Sequence, residues 1–147
     1  MKLLNTSINN FSGDYRWLSN FYVSDVEYEG IVFPSSENAY QWSKDRTRVD
    51  LFRTCTPGKS KRLGAASEID VKDWNLKRDS IMYNIVESKF SQNKFLQEKL
   101  LATGELELIE GNTWGDRYWG QCPVGNGKNK LGVILMTLRN SFRYEIR

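Results

Sequence analysis

Nine consecutive residues carry an unusual set of functional groups: Ser36-Glu37-Asn38-Ala39-Tyr40-Gln41-Trp42-Ser43-Lys44. On a helix, Glu37, Tyr40, Gln41 and Lys44 stand at i, i+3, i+4 and i+7 and share one face. A core-facing helix would place apolar side chains there. Here a carboxylate, a phenol, an amide and an amine line up instead. The first turn of a helix favours the ionised form of Glu37. An ionised carboxylate near a lysine can stabilise a developing positive charge, or position and activate a water. The alternative is a solvent-facing charge stripe, common on surface helices.

Three further segments could serve a site. Phe11-Ser12-Gly13-Asp14-Tyr15-Arg16-Trp17-Leu18-Ser19-Asn20-Phe21-Tyr22 interleaves small polar residues with aromatics and one arginine. Such a loop can stack a base and hold a phosphate through Arg16; equally, its aromatics can be core. Asp116 lies among tryptophans and glycines in Glu110 to Gly120. An acid in apolar surroundings can be poised as a proton donor, or it can close an Asx turn. Gly125 to Gly132 resembles a phosphate-cradling loop before a helix, without matching the Walker A pattern. The basic cluster Lys59, Lys61 and Arg62 reads as solvated surface.

The rest of the composition narrows the chemistry. None of the 147 residues is histidine. That excludes Ser-His-Asp and Cys-His catalysis and any His-containing zinc site. The two cysteines, Cys55 and Cys122, cannot supply four metal ligands. Proton transfer therefore falls to Asp, Glu, Lys, Tyr or Cys. A 39% hydrophobic, 27% charged chain is globular rather than disordered. Its length fits one domain, residues 1–147 with a core over about 11–142. The net charge of +3 tolerates anionic ligands without implying nucleic acid. No apolar run is long enough to span a bilayer, and Met1 to Asn10 lacks a signal-peptide core. The expected location is cytoplasmic.

The elements that must position these groups read as follows. Phe21–Val23 and Glu27–Phe33 are strand-like, with Glu29-Gly30 as a turn between two short strands. Ser35 or Ser36 caps a helix running to about Lys44. A short helix is expected to include Leu51–Thr54, and Thr56-Pro57 starts another through Lys59–Ala66. Asp70 caps the longest helix, with Val71, Trp74, Met82, Ile85, Val86 and Phe90 at helical spacing. Asn93–Ala102 is amphipathic, with Phe95, Leu96, Leu100 and Leu101 on one side, and Gly104 ends it. Leu106–Ile109 alternates like a strand. The loop Gly111–Lys130 precedes a helix over Leu131–Phe142. The expected class is α+β, mainly α-helical, with a few short antiparallel strands.

The ordered motifs resemble the NADAR superfamily, also called the YbiA-like family. They are Leu18-Ser19-Asn20-Phe21-Tyr22, Ser36 to Gln41 with Lys44, Leu63-Gly64, Trp74 with Met82, and Lys89-Phe90. They continue with Thr103-Gly104, Leu108-Ile109-Glu110, Asp116 to Gly120, Asn129 to Gly132, and Leu135-Met136 with Arg139. The resemblance runs from about Phe11 to Phe142. It implies N-glycosidase chemistry on a C–N bond between a ribose and a base or amine. The implied substrates are ribose-phosphate intermediates of the riboflavin pathway, or ADP-ribose conjugates, including ADP-ribosylated guanine in nucleic acid. By the same resemblance Glu37, Lys44 and Asp116 are catalytic. Arg16, Ser19, Asn20, Phe21, Tyr40, Trp74, Trp119, Gly120 and Asn129 bind substrate, with no cofactor or metal. Asn38-Ala39 departs from the histidine and aromatic found there in many members, so no histidine-dependent step is expected.

N-glycoside cleavage passes through an oxocarbenium-like state that needs a nearby carboxylate and a donor for the leaving group. Glu37 and Asp116 could fill those roles. Alternatively Lys44 could attack the anomeric carbon of an opened ribose as a Schiff base, which requires a desolvated amine of lowered pKa. The same residues could also build a module that binds ADP-ribose or a nucleotide without turnover, or an antitoxin that inhibits a partner by contact.

Overall fold

The structure is a computed structural model and describes residues 6–145. In chain order it runs β1 (Ser7–Ile8), a 3-10 helix (Gly13–Leu18), β2 (Val26–Tyr28), β3 (Ile31–Phe33) and α1 (Ser36–Trp42). A second 3-10 turn (Arg46–Arg48) leads into α2 (Val49–Phe52), α3 (Pro57–Ala66), α4 (Val71–Gln92) and α5 (Lys94–Ala102). β4 (Glu107–Leu108) and α6 (Lys130–Glu145) complete it. The class is α+β, mainly helical. The chain forms two compact units: Asn20–Asn93, and a second assembled from the residues up to Ser19 with those from Lys94 onward.

In the Asn20–Asn93 unit, β2 and β3 form an antiparallel hairpin with Val26 opposite Phe33 and Tyr28 opposite Ile31. Glu29 and Gly30 both have positive φ, 52° and 78°. This is the two-residue turn whose twist matches the flanking strands, as expected. Phe21–Val23 is not a strand. It finds no neighbouring strand, because the chain on either side is tied elsewhere. The Asn20 carbonyl accepts the Glu37 amide at 3.0 Å, and the Ser24 amide donates to Pro34.

Ser35 caps α1, its side chain accepting from the Asn38 amide. Every residue of α1 is buried, so the polar face of Glu37, Tyr40 and Gln41 is interior and the solvated-stripe alternative fails. Thr56 caps α3, with Pro57 in its first turn. Asp70 caps α4, which buries Trp74, Met82, Ile85, Val86 and Phe90 as its spacing predicts. Val71 departs from that series: it stands in the first turn and is exposed. Phe33, Phe52, Ile85 and Phe90 lie in the core of this unit.

In the other unit, β1 and β4 pair in parallel, with Ser7 beside Glu107 and Ile8 beside Leu108. The expectation of antiparallel strands holds for the hairpin and fails here. α5 buries Leu96 and Leu100. Phe95, expected on the same side, is exposed. The residue one position before Leu96 lies about 100° around the helix, beyond so narrow a stripe. Gly104, φ 64°, follows the end of α5 as expected. The buried face of α6 comprises Leu131, Ile134, Leu135, Leu138 and Phe142. Among the described residues no helix is long and apolar enough to cross a membrane.

Candidate active site

Glu37 sits in the first turn of α1 and is 7% exposed. Its Oε1 accepts a hydrogen bond from Gln41 Nε2 at 2.8 Å, the i, i+4 partner on the same face. One turn further on, Lys44 follows the end of the helix. Its ammonium lies 5.6 Å from the Tyr40 ring centre and 5.7 Å from that of Trp74. The two rings pack at 5.3 Å, tilted by 56°. Glu37, Tyr40, Gln41 and Lys44 therefore share a face as their spacing predicts, and α4 supplies the aromatic wall through Trp74.

Burial lowers the pKa of Lys44 below that of a free lysine. Glu37 opposes the shift, while the positive charges of Arg78 and Lys61 add to it. Neither cation belongs to the expected site. Arg78 lies one turn beyond Trp74 on α4, in the i+4 place of a series that continues to Met82. Lys61 on α3 stands with its ammonium 5.7 Å from the Phe21 ring centre. The Trp74–Arg78 spacing was a usable signal. The approach of α3 was not, because it depends on packing.

The remaining expected residues of this unit are also placed. Asn20 is buried, and its Nδ2 donates to the Met82 sulfur at 3.4 Å. Phe21 is 41% exposed, unlike a core aromatic. Asn38 donates both amide hydrogens to backbone carbonyls. These are Phe52 and Cys55, each at 2.8 Å. It thereby pins the end of α2 and the following turn to α1.

In the other unit Asp116 is half-buried. Its Oδ1 accepts the amides of Tyr118 at 3.0 Å and Trp119 at 2.9 Å. This is the Asx-turn geometry weighed from the sequence. Trp119 packs edge-on to Tyr118 at 4.9 Å. Gly120 lies so close to Glu110 that a methyl group there would sit 2.1 Å from its carbonyl oxygen. Asn129 is buried, with its amide bonded at both ends: Nδ2 donates to Leu108 O and Oδ1 accepts from Glu110 N, each at 2.9 Å. Its side chain thus holds β4 to the start of α6. Arg16 is exposed on the first 3-10 helix, and Ser19 follows that helix half-buried.

The phosphate-cradle reading of Gly125–Gly132 is overturned. The amides of Lys128, Asn129, Lys130 and Leu131 donate to the carbonyls of Arg117, Gly120, Tyr118 and Trp119. The donors that would hold an anion are used within the fold. Among the described residues no cluster of three or more Cys, Asp or Glu could hold a metal ion.

The mainly helical α+β fold agrees with a solved structure that the chain resembles. The sequence profile of the NADAR domain matches residues 9–143. The N-glycosidase YbiA of Escherichia coli strain K12 is 33% identical over 138 residues, covering 91% of this chain and 86% of that protein. A riboflavin biosynthesis protein of Vibrio vulnificus is 36% identical over 134 residues, 88% of this chain and 36% of its own length. The NMR structure of E. coli YbiA superposes with a TM-score of 0.85 at 32% identity, covering 98% of this chain and 89% of that one. This chain belongs to the NADAR domain family.

Proposed function

We propose that this protein is an N-glycosidase that cleaves the C–N bond between a phosphorylated ribose, or an ADP-ribose, and a base or amine. The enzyme class is that of its curated relatives, hydrolases named N-glycosidase across most of their length. The profile match from residue 9 to residue 143 supports treating the chain as one functional domain. The observation that carries the chemistry is the buried Glu37 and half-buried Lys44 on one face, beside the Tyr40–Trp74 pair. The extra cations Lys61 and Arg78 near Lys44 suit an anionic, phosphorylated substrate.

The lowered pKa of Lys44 favours the Schiff-base route over a purely electrostatic one. The free amine adds to C1 of the ring-opened ribose. The C1–N bond to the base then breaks, and the base leaves with a proton. Water adds to the resulting Lys44–C1 imine, releasing the ribose aldehyde and regenerating the amine. Glu37 would orient that water and balance positive charge at C1. Asp116 is the candidate proton donor to the leaving group by resemblance. With Oδ1 engaged by two amides, the donating oxygen would be Oδ2.

Incubation with ribosylaminopyrimidine phosphates and with ADP-ribosylated guanosine tests the reading. Release of free base from one class is expected. Glu37→Gln should lower kcat about 10²–10³-fold, the usual effect of removing one group that stabilises transition-state charge. Tight binding of both substrate classes without product would instead favour the ADP-ribose-binding module. Binding of neither, with capture of a partner unaffected by Glu37→Gln, would favour the antitoxin reading.

A further inference from the structure

Gly64 occupies the interior of α3 with no backbone reason to be glycine. It is absent from the six glycines of positive φ, and a glycine inside a helix is destabilising relative to alanine. Its neighbourhood supplies the reason. A methyl group at Gly64 would sit 1.8 Å from Gln41 Oε1, 2.6 Å from Gln41 Cδ and 3.1 Å from Gln41 Cβ. The three nearest atoms it would meet all belong to that one side chain.

Gln41 is 5% exposed. Its Nε2 donates to Glu37 Oε1. Its Oε1, turned toward Gly64, is buried without a hydrogen-bond partner. A buried acceptor left unsatisfied is destabilising. Turning the amide over would face that oxygen to the Glu37 carboxylate, which is worse. The amide is therefore held in an orientation that serves Glu37 at the expense of its own second atom. We propose that Gly64 is a positioning residue: its missing side chain is the space in which Gln41 holds the Glu37 carboxylate. The proposal rests on the reading of Glu37 as the reacting carboxylate.

The severe part of the clash in Gly64→Ala falls on the far end of a flexible side chain, which can swing away, while the 3.1 Å approach to Gln41 Cβ asks the helices to give by a few tenths of an ångström. Glu37 then loses the Gln41 donor. Glu37 and Lys44, which follows the end of α1, interact electrostatically, and Lys61 on α3 and Arg78 on α4 act on Lys44.

Carbon-13 NMR titration of the Glu37 carboxyl, together with kcat and KM, tests this in Gly64→Ala, Gln41→Ala and the double variant. Gly64→Ala should remain folded, by circular dichroism, with at most a modest loss of melting temperature. Its Glu37 titration should move to higher pH, because a donor to the ionised form is gone. Its kcat should fall about tenfold to a hundredfold with KM little changed. Gln41→Ala should give the same titration, and adding Gly64→Ala to it should change nothing further. A Gly64→Ala titration at the wild-type pH, or effects that add in the double variant, would overturn the proposal. A titration that moves as expected with kcat unchanged supports the positioning role and defeats the reading of Glu37 as the reacting group.

Discussion

Lys44 is the residue on which the proposed chemistry turns. Desolvation beside Tyr40 and Trp74 lowers its pKa, and Arg78 and Lys61 push the same way. A lysine with a lowered pKa supplies free amine nearer neutral pH. Borohydride added during turnover is therefore expected to trap one ribosyl adduct per chain, on Lys44 by peptide mass analysis. An untrapped enzyme at full turnover would point to direct displacement with Glu37 balancing the oxocarbenium charge. Asp116 separates turn from catalysis in a single substitution. Asparagine keeps an oxygen for the Tyr118 and Trp119 amides and tolerates the same turn. Asp116→Asn should therefore melt within about 1 °C of wild type while kcat falls about 10²–10⁴-fold, the range for loss of a general acid. Unchanged kcat would leave Asp116 a turn residue only.

At the scale of elements, three helices set the charge around Lys44: α1 carries Glu37, α4 carries Arg78 and α3 carries Lys61. Lys61→Met removes a like charge, so the pKa of Lys44 rises. The ascending limb of the rate profile, which follows the free amine, should move to higher pH. Raising salt should move the wild-type limb the same way, because Lys61 is exposed and screened. A limb insensitive to both would remove Lys61 from the site. The α1 face was legible because four side chains at helical spacing need no tertiary information. So were the caps Ser35, Thr56 and Asp70 and the Glu29-Gly30 turn, which depend on a few consecutive residues. Lys61 read as solvated surface because nothing near it in sequence announces that α3 crosses Gln41 at Gly64. The bonds of Asn129 to Leu108 and Glu110 were not legible, because these partners lie about twenty positions earlier. Phe21–Val23 had strand-like residues, but a strand also needs a partner.

At the scale of the whole molecule, stability depends on a lysine that the proposed chemistry does not use. Lys89 is 1% exposed, near the rings of Tyr22 and Phe90, and burial pushes its pKa from 10.5 down to about 7. Between those two values the unfolded chain holds one proton more than the folded chain at this position. Stability from Lys89 therefore rises with pH across the window, by up to about 1.4 kcal/mol per unit. Below the window both states are protonated and the burial penalty is present in full. Lys89→Met should be the more stable protein at pH 7 and lose that slope, as urea unfolding at pH 7 and pH 9 would read. Equal slopes in the two proteins would mean that the Lys89 ammonium stays hydrated. The parallel pairing of Ser7 with Glu107 has a consequence of another kind. Asn20–Asn93 is a continuous stretch and can organise while the ribosome is still adding later residues. The β1–β4 ladder cannot, since its second strand is made about a hundred residues after its first. Until then Ile8 and the neighbouring Phe11 are without the partners that bury them. Closing so long a loop is entropically expensive and slow. The segment around Ile8 and Phe11 thus waits longest for its partners, and refolding should show the Asn20–Asn93 helices first and the β1–β4 ladder last.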